Sequence, residues 1–295
     1  MKKIIIIALI LLGFNIENSF SQNVIQIKGS DTIVNLAQKL AEVYMEKNPN
    51  AALAVTGGGS GVGIAALLAK RIDIADASRE MKDKEYASAK ENGVVPFEIP
   101  IAVDGLSVVI NAANPIKSLT MGQIGAIYRG EITNWQELGG ANMPISLYGR
   151  QPNSGTYVFF QEHVLGNKNY SPKMKQMNGN AQIIESLKTD KGGIGYVGVA
   201  YALDEHGKVM PELCVLDVAK DAQSKPVTPL ISENVKSGLY PVSRPLYQYT
   251  NGKPTGEVLN FIKFELSAEG QKIVEEQGFY PIFGKYVERN KKAGL

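Results

Sequence analysis

The sequence predicts an α/β protein of two lobes, with mainly parallel sheets, joined by two strands. Strand-like and helix-like segments alternate along almost the whole chain, which is typical of α/β layers. Two long strand-like segments, near Val103 and near Arg244, lie where the chain can pass from one lobe to the other. The length of 295 residues also exceeds that of one typical hydrophobic core.

The composition is that of a folded globular protein. Hydrophobic residues make up 44% and charged residues 20% of the chain, and the formal net charge is only +2. This balance gives no sign of nucleic-acid or polybasic membrane binding. The single cysteine, Cys214, cannot form an internal disulfide, and its apolar neighbours predict a small core residue.

The first 21 residues have the pattern of a secretory signal peptide. Lys2 and Lys3 precede an unbroken apolar run over 4–12, and Ser19 and Ser21 provide small residues for cleavage near Ser21. The run is shorter than the about 20 residues that span a bilayer. A buried first helix is the alternative. No cysteine follows the run, which argues against a lipid anchor, so we expect an exported protein.

The first part of the chain contains three strand-helix pairs. Strands are predicted over 23–28, 51–56 and 72–75, and helices over 33–44, from 60 through 68, and over 81–92. Ser30 or Asp31 is expected to cap the first helix, Pro49 to follow its end, and Gly93 to end the third.

The second part begins with one extended strand over 97–111 that crosses between the lobes. Helices are then predicted over 120–128, 154–164, 181–188, 255–265 and 268–277, and strands over 144–148, 192–197 and 239–249. The last strand is the return crossing, and the C-terminal helices rejoin the first lobe. We therefore expect lobe 1 over 22–103 plus 245–295, and lobe 2 over 104–244.

Three segments share a design that suits an anion. Each is a turn containing glycine and hydroxyl side chains that is followed at once by a helix: Gly29–Thr32, Gly59–Gly61 and Asn153–Thr156. A helix start offers unpaired N–H groups and a partial positive charge, and glycine allows close approach. The alternative for each segment is that its hydroxyls only cap the helix. The candidate ligands in these segments are Ser30, Thr32, Ser60, Ser154, Gly155 and Thr156.

Two of the six arginines stand beside these segments. Arg150 precedes Ser154 by four residues, and Arg79 follows Ser78 directly after a predicted strand. A guanidinium makes planar, two-pronged contacts with a tetrahedral oxyanion, so Ser78, Arg79 and Arg150 are also candidates. The other arginines, including Arg244, are expected to be solvated or paired.

Common enzyme motifs and metal-ligand spacings are missing from the sequence. Val62 stands where a nucleophile elbow around Ser60 would need glycine, and no P-loop follows the glycine-rich turn. His163 and His206, the only histidines, have no metal-ligand spacing. We expect no catalysis, no metal and no cofactor.

Taken together, these segments resemble the phosphate-binding proteins of the periplasmic phosphate ABC-transport system, over nearly the whole mature chain. The matching segments are Gly29–Thr32, Gly57–Gly61, Asp73–Arg79, Asp104–Leu106, Asn114–Pro115, Gly130–Trp135, Arg150–Thr156 and Gly193–Val197. The Arg-x-x-x-Ser-Gly-Thr segment is the most specific of them.

This resemblance implies the two-lobed fold of type II periplasmic binding proteins, with a mixed sheet in each lobe and a two-strand hinge. It implies a periplasmic monomer that captures inorganic phosphate by lobe closure and delivers it to a membrane ABC permease. The family's binding roles fall on Ser30, Thr32, Ser60, Arg150 and the Ser154–Thr156 segment.

One position departs from the family pattern. Its best-known members carry a carboxylate after the serine of the third loop, where this chain has Arg79. A carboxylate there accepts the proton of hydrogen phosphate and disfavours sulfate. Asp104, at the predicted crossing, is the expected replacement, and Asp76 is the second choice. The alternative for Asp104 is a hinge residue bonded to the backbone.

Two other functions stay open on the same scaffold. One is a secreted hydrolase of phosphate esters, which would need a base or a metal set. The other is a phosphate sensor or adhesive surface protein without a role in transport.

Overall fold

The computed structural model describes residues 24–295, so the expected signal peptide lies outside the described residues. The strands are β1 (Ile25–Gly29), β2 (Leu53–Thr56), β3 (Ile74–Ala77), β4 (Pro96–Asn111), β5 (Ser118–Thr120), β6 (Ser146–Arg150), β7 (Lys175–Met177), β8 (Gly193–Gly198), β9 (Leu213–Val215), β10 (Asp217–Ala219) and β11 (Ser243–Asn251). The helices are α1 (Val34–Lys47), α2 (Ser60–Leu68), α3 (Asp83–Glu91), α4 (Met121–Arg129), α5 (Gly155–His163), α6 (Asn180–Thr189), α7 (Ser232–Lys236), α8 (Gly256–Leu266), α9 (Ala268–Glu276) and α10 (Lys285–Lys292), with short 3₁₀ turns at Trp135–Leu138 and Val199–Ala202.

One curled, mixed sheet runs through both lobes. Its strand order is β2-β1-β3-β11-β4-β8-β6-β7, and β9 also pairs with β4. Pairing is parallel within β2-β1-β3 and within β8-β6-β7, but antiparallel wherever β4 or β11 takes part. A second small sheet joins β5 and β10 in parallel.

The long strand β4 is shared by the two halves of the sheet. Up to Gly105 it pairs with β11, and from Leu106 onward it pairs with β8. At the change of partner, Asp104 on β4 lies directly opposite Arg244 on β11. The two predicted crossing strands are therefore neighbours, and their side chains at this point can reach both lobes.

Each half has its own hydrophobic core. In the first, Leu36 and Leu40 of α1 pack with Phe261 of α8 and with the inner faces of β1 and β4. In the second, Trp135, Phe160 and their neighbours pack against β4, β6 and β8. Because α8 and α9 contact α1, the C-terminal helices return to the first half as predicted.

Several details differ from the sequence-based expectations. Neither Ser30 nor Asp31 caps α1, since the cap position is Ile33 and no side chain accepts a cap hydrogen bond there. The sheet is mixed because β4 and β11 run against their neighbours, so the parallel pairing that we expected to dominate holds only on the flanks. Cys214 is only partly buried.

The sequence did not predict the shortest strands and two of the helices. These are β5, β7, β9 and β10, together with α7 and α10. The strands have three residues each, too few for alternation to register. Among residues 24–295, no helix is both long and apolar enough to cross a membrane.

Candidate functional site

Three serine hydroxyls meet at the ends of β1 and β3 and the start of α2. Ser30 Oγ lies 2.9 Å from Ser78 Oγ, and Ser60 Oγ lies 3.3 Å from it. The Ser78 N–H also donates to Ser60 Oγ at 3.0 Å. All three side chains are buried. Because hydroxyl groups can rotate and donate, this cluster can turn its hydrogens toward an anion.

A second pair of hydroxyls spans the two halves of the molecule. Thr32, after β1, and Thr156, in the first turn of α5, lie with their Oγ1 atoms 2.9 Å apart, and both are fully buried. Ser154 instead caps α5, since its Oγ accepts from the N–H groups of Thr156 and Tyr157. The capping alternative therefore describes the Ser154 hydroxyl, whereas Thr156 Oγ1 faces across the cleft.

Two helices begin at this cluster. Ser60 and Gly155 are the first residues of α2 and α5, where backbone N–H groups have no acceptor within the helix. A Cβ on Gly155 would lie 2.3 Å from Ser60 Oγ and 2.7 Å from Ser78 Oγ. Glycine thus allows the start of α5 to touch the serine cluster, and both helix dipoles favour negative charge there.

Arg150, at the end of β6, is a buried guanidinium beside these groups. Its Nη2 donates to the Asp31 carboxylate and, at 2.8 Å, to the Asn178 carbonyl. Its Nε and Nη1 are buried and have no hydrogen-bond partner. A buried donor without an acceptor costs about 1–3 kcal/mol, and more when it is charged. The N–H groups on these two nitrogens therefore need an acceptor such as an oxyanion.

Arg244 occupies the centre of the site, although the sequence pointed only to a solvated or paired arginine. It is paired, since Nε and Nη2 donate to Asp104 Oδ2 at 3.2 and 2.9 Å. It also donates to the Ser78 carbonyl at 2.9 Å and to Thr156 Oγ1 at 3.0 Å, and Nη2 lies 3.5 Å from Thr32 Oγ1. Arg244 lies outside the hydroxyl-bearing turns, and only the strand register opposite Asp104 could have indicated it.

Asp104 is fully buried and paired with this arginine. Its Oδ1 accepts from the Val199 N–H at 3.2 Å, so it bonds both to a backbone N–H and to a side chain. Burial raises the pKa of Asp104, and the adjacent Arg244 opposes that rise. Asp104 lies at the two-strand crossing, as predicted, and reaches the hydroxyl pair through Arg244.

Arg79 lies at the edge of the cluster and has a partner of its own. Its two Nη atoms each donate to one oxygen of Glu85 at 2.7 Å, in a side-by-side ion pair. Its Nε is buried without a partner. Arg79 lines a cleft of about 710 Å³ together with Arg244 and Phe159, on the side where the site approaches the surface.

Asp76, the second choice as proton acceptor, is buried, and its Oδ1 has no hydrogen-bond partner. Its backbone carbonyl accepts from the Ser30 N–H at 2.9 Å, while its side chain lies beside Gln248. Gln248 Nε2 donates to the buried Glu265 at 3.1 Å. Burial raises the pKa of Asp76 to about 7. Asp76 thus forms part of a separate buried cluster within the first core.

Within residues 24–295 no group of three or more His, Cys, Asp and Glu side chains is arranged to hold a metal. His163 Nδ1 lies 3.0 Å from the Phe159 carbonyl, and its ring stacks on Phe159. His206 is exposed.

Comparison with known proteins identifies a family profile and relatives that match most of the chain. A profile of the PBP superfamily domain matches residues 17–269. The phosphate-binding protein PstS of Pseudomonas aeruginosa is 32% identical over 285 residues, covering 90% of this chain and 86% of that protein.

Solved structures are similar over most of the chain. One is described as a phosphate ABC transporter substrate-binding protein of Clostridium perfringens with bound phosphate; it is 31% identical, with a TM-score of 0.77, and the match covers 88% of this chain and all of that one. Another, an ABC-type phosphate transport receptor of Vibrio cholerae, is 27% identical with a TM-score of 0.69, and the match again covers 88% of this chain and 100% of that one.

Proposed function

This chain belongs to the PstS family of phosphate-binding proteins within the PBP superfamily, and we propose that it captures inorganic phosphate between its two lobes. The main support for this proposal is the environment of Arg150. Two of its buried nitrogens, Nε and Nη1, lack acceptors beside two helix starts and a set of buried hydroxyls. A doubly charged tetrahedral oxyanion would supply the missing acceptors and charge.

The proposed site uses the residues that the sequence suggested, with Arg244 added to organise the hydroxyls. Ser30, Thr32, Ser60, Ser78 and Thr156 would donate through hydroxyls, Gly155 through its backbone N–H, and Arg150 through its guanidinium, with Ser154 holding the helix start and Arg79 closing the edge. Asp104 would accept the phosphate proton while its other contacts hold Arg244. These assignments rest on the distances and burial described above.

The lobe limits of 103/104 and 244/245 belong to the same proposal. The change of partner along β4 directly after Gly105, next to the Asp104–Arg244 pair, supports them. Ligand contacts from both sides would stabilise the closed arrangement. We further propose that the protein is exported after cleavage near Ser21, acts as a monomer in the periplasm and delivers phosphate to an ABC permease.

Equilibrium binding to phosphate and to sulfate tests the function. We expect phosphate to bind far more tightly than sulfate and to reduce the radius of gyration in small-angle scattering as the lobes close. Similar affinities for the two anions, or no phosphate binding, would refute the proposal.

Catalysis is tested separately. The protein should release no phosphate from phosphate esters, with or without added divalent metals. Sustained turnover by a purified sample would favour the hydrolase alternative instead.

A further inference from the structure

In the loop between β1 and α1, Asp31 makes several contacts with the opposite lobe, in addition to the Thr32–Thr156 hydroxyl pair. Its carboxylate oxygen Oδ2 pairs with Arg150 Nη2. Its backbone carbonyl accepts from Tyr201 Oη at 2.6 Å and from Asn180 Nδ2 at 3.3 Å. Asp31 belongs to lobe 1 and its three partners to lobe 2, so all these contacts cross the cleft.

This ion pair is well shielded from solvent. The Arg150 side chain is 2% exposed and the Asp31 side chain 19%. Screening by salt is therefore weaker than for a surface pair, and loss of one partner leaves a buried charge uncompensated. Exposed ion pairs such as Lys39–Glu42, which join neighbours on one helix, lack this shielding from solvent.

The two carboxylate oxygens of Asp31 have separate partners. Oδ1 accepts from the Gly58 N–H at 2.7 Å, a contact within lobe 1 that shapes the glycine-rich turn. Oδ2 alone reaches across to Arg150. Substitution by asparagine keeps an oxygen for Gly58 and removes the charge that faces Arg150, so the two roles can be separated.

We propose that Asp31 is an interlobe latch: it does not contact phosphate, but it positions Arg150 and holds the lobes closed over the bound anion. This inference rests on the proposed function. A ligand can leave only when the cleft opens, so a weaker latch raises the dissociation rate more than it lowers the association rate. A carboxylate near a bound anion would by itself repel that anion. Removing the Asp31 charge should therefore weaken phosphate binding if Asp31 is a latch, and strengthen it if repulsion is the main effect.

The main experiment measures phosphate dissociation by stopped flow for the unaltered protein and for Asp31→Asn. We expect the dissociation rate to rise at least tenfold, with a much smaller change in association. The control is Asp73→Asn, because Asp73 is an exposed lobe 1 residue whose carboxylate accepts from the Gln26 N–H of the same lobe and does not reach the cleft. An unchanged dissociation rate, or tighter binding by Asp31→Asn, overturns the latch.

A second variant alters a lobe 2 partner of Asp31. Tyr201→Phe removes the hydroxyl that donates to the Asp31 carbonyl and leaves every charge in place. One neutral hydrogen bond predicts an increase in dissociation rate of about fivefold. If Asp31→Asn fails to fold, Tyr201→Phe tests the proposal in its place. An unchanged dissociation rate for Tyr201→Phe overturns the proposal.

Two further measurements distinguish the latch from a role in folding and from the proposed function. Thermal unfolding without phosphate should remain one cooperative transition for Asp31→Asn, which shows that the variant folds even if the uncompensated Arg150 charge lowers its midpoint. Small-angle scattering, with and without phosphate, should show Asp31→Asn to be more open in at least one condition. Equal radii in both conditions contradict the latch, whereas failure of the unaltered protein to bind phosphate contradicts the proposed function.

Discussion

Arg150 and Arg244 are both buried guanidinium groups, but they differ in how their charge is balanced. Arg244 has a protein acceptor for each of its nitrogens, and the Asp104 carboxylate lies against it. Arg150 has Asp31 on one nitrogen only, and its other two nitrogens lack partners. At the scale of single residues, we therefore propose Arg150 as the direct contact to the anion and Arg244 as the group that organises the hydroxyls around it.

Arg150→Ala should weaken phosphate binding by at least tenfold. Charged hydrogen bonds contribute about 1.5–3 kcal/mol each, and 1.4 kcal/mol corresponds to a factor of ten in the dissociation constant. Isothermal titration calorimetry measures the change, with the exposed Arg71→Ala as the matched control. An unchanged constant would remove Arg150 from the site.

Asp104→Asn should impair phosphate binding more than sulfate binding. Hydrogen phosphate carries a proton that a carboxylate can accept, whereas sulfate has none to give. Because the change also leaves Arg244 without a counter-charge, folding is checked by thermal unfolding. Competition between the two anions is the measurement, and an equal loss for both would mean that Asp104 only supports Arg244.

At the scale of elements, the site depends on how closely α5 approaches α2 and β3. The first residue of α5 has space for a hydrogen but not for a methyl group, since both serine hydroxyls lie within 2.7 Å of the added carbon. The helix starts also have to meet from opposite lobes, as the Gly61 N–H bond to the Asn153 carbonyl at 3.0 Å illustrates. Neither requirement follows from helix propensity.

Gly155→Ala should weaken phosphate binding strongly while leaving the fold intact. Its backbone is within the range open to other residues, so the penalty comes from pushing the Ser60 and Ser78 hydroxyls aside. Gly122→Ala is the control, because Gly122 is also in the first turn of a helix and meets only one atom, at 3.8 Å. Equal phosphate affinity for the two variants, measured by titration, would show that the cleft tolerates the methyl group.

At the scale of the whole molecule, a buried acidic cluster joins the C-terminal helices to the sheet. Asp76 of β3, Gln248 of β11 and Glu265 of α8 each bury one oxygen without a partner. Burial raises the pKa of Asp76 to about 7, and burial together with the Asp76 charge raises the pKa of Glu265. The folded protein therefore holds protons there that the unfolded chain would release near pH 4.

The raised pKa values in this cluster predict that the free energy of unfolding falls as pH rises. A carboxyl group whose pKa is higher in the folded state stabilises the fold fully below the unfolded pKa, and this contribution is lost as pH rises through about 7. The melting temperature without phosphate should drop between pH 5 and 8, and Glu265→Gln should reduce that drop. The exposed Glu275→Gln is the control and should follow the unaltered protein; an identical pH profile for Glu265→Gln would contradict the role of the cluster.

The sequence by itself determined the local features: the α/β class, most of the long elements, and the glycine turns before α2 and α5. These depend on neighbours within a few residues, where periodicity, capping and turn chemistry act directly. It also predicted that β4 is one long crossing strand, because the apolar, β-branched run is unbroken from Phe97 to Asn111.

The tertiary structure alone decided which of these features meet. Arg244 and Asp104 are 140 positions apart, and Asp31 and Arg150 are 119 apart, so no local pattern couples them. Their pairing follows from strand register at the hinge and from contact between the lobes. Burial then determines which charges are balanced inside the protein and which, like the Arg150 guanidinium, keep N–H groups without a partner among the described residues.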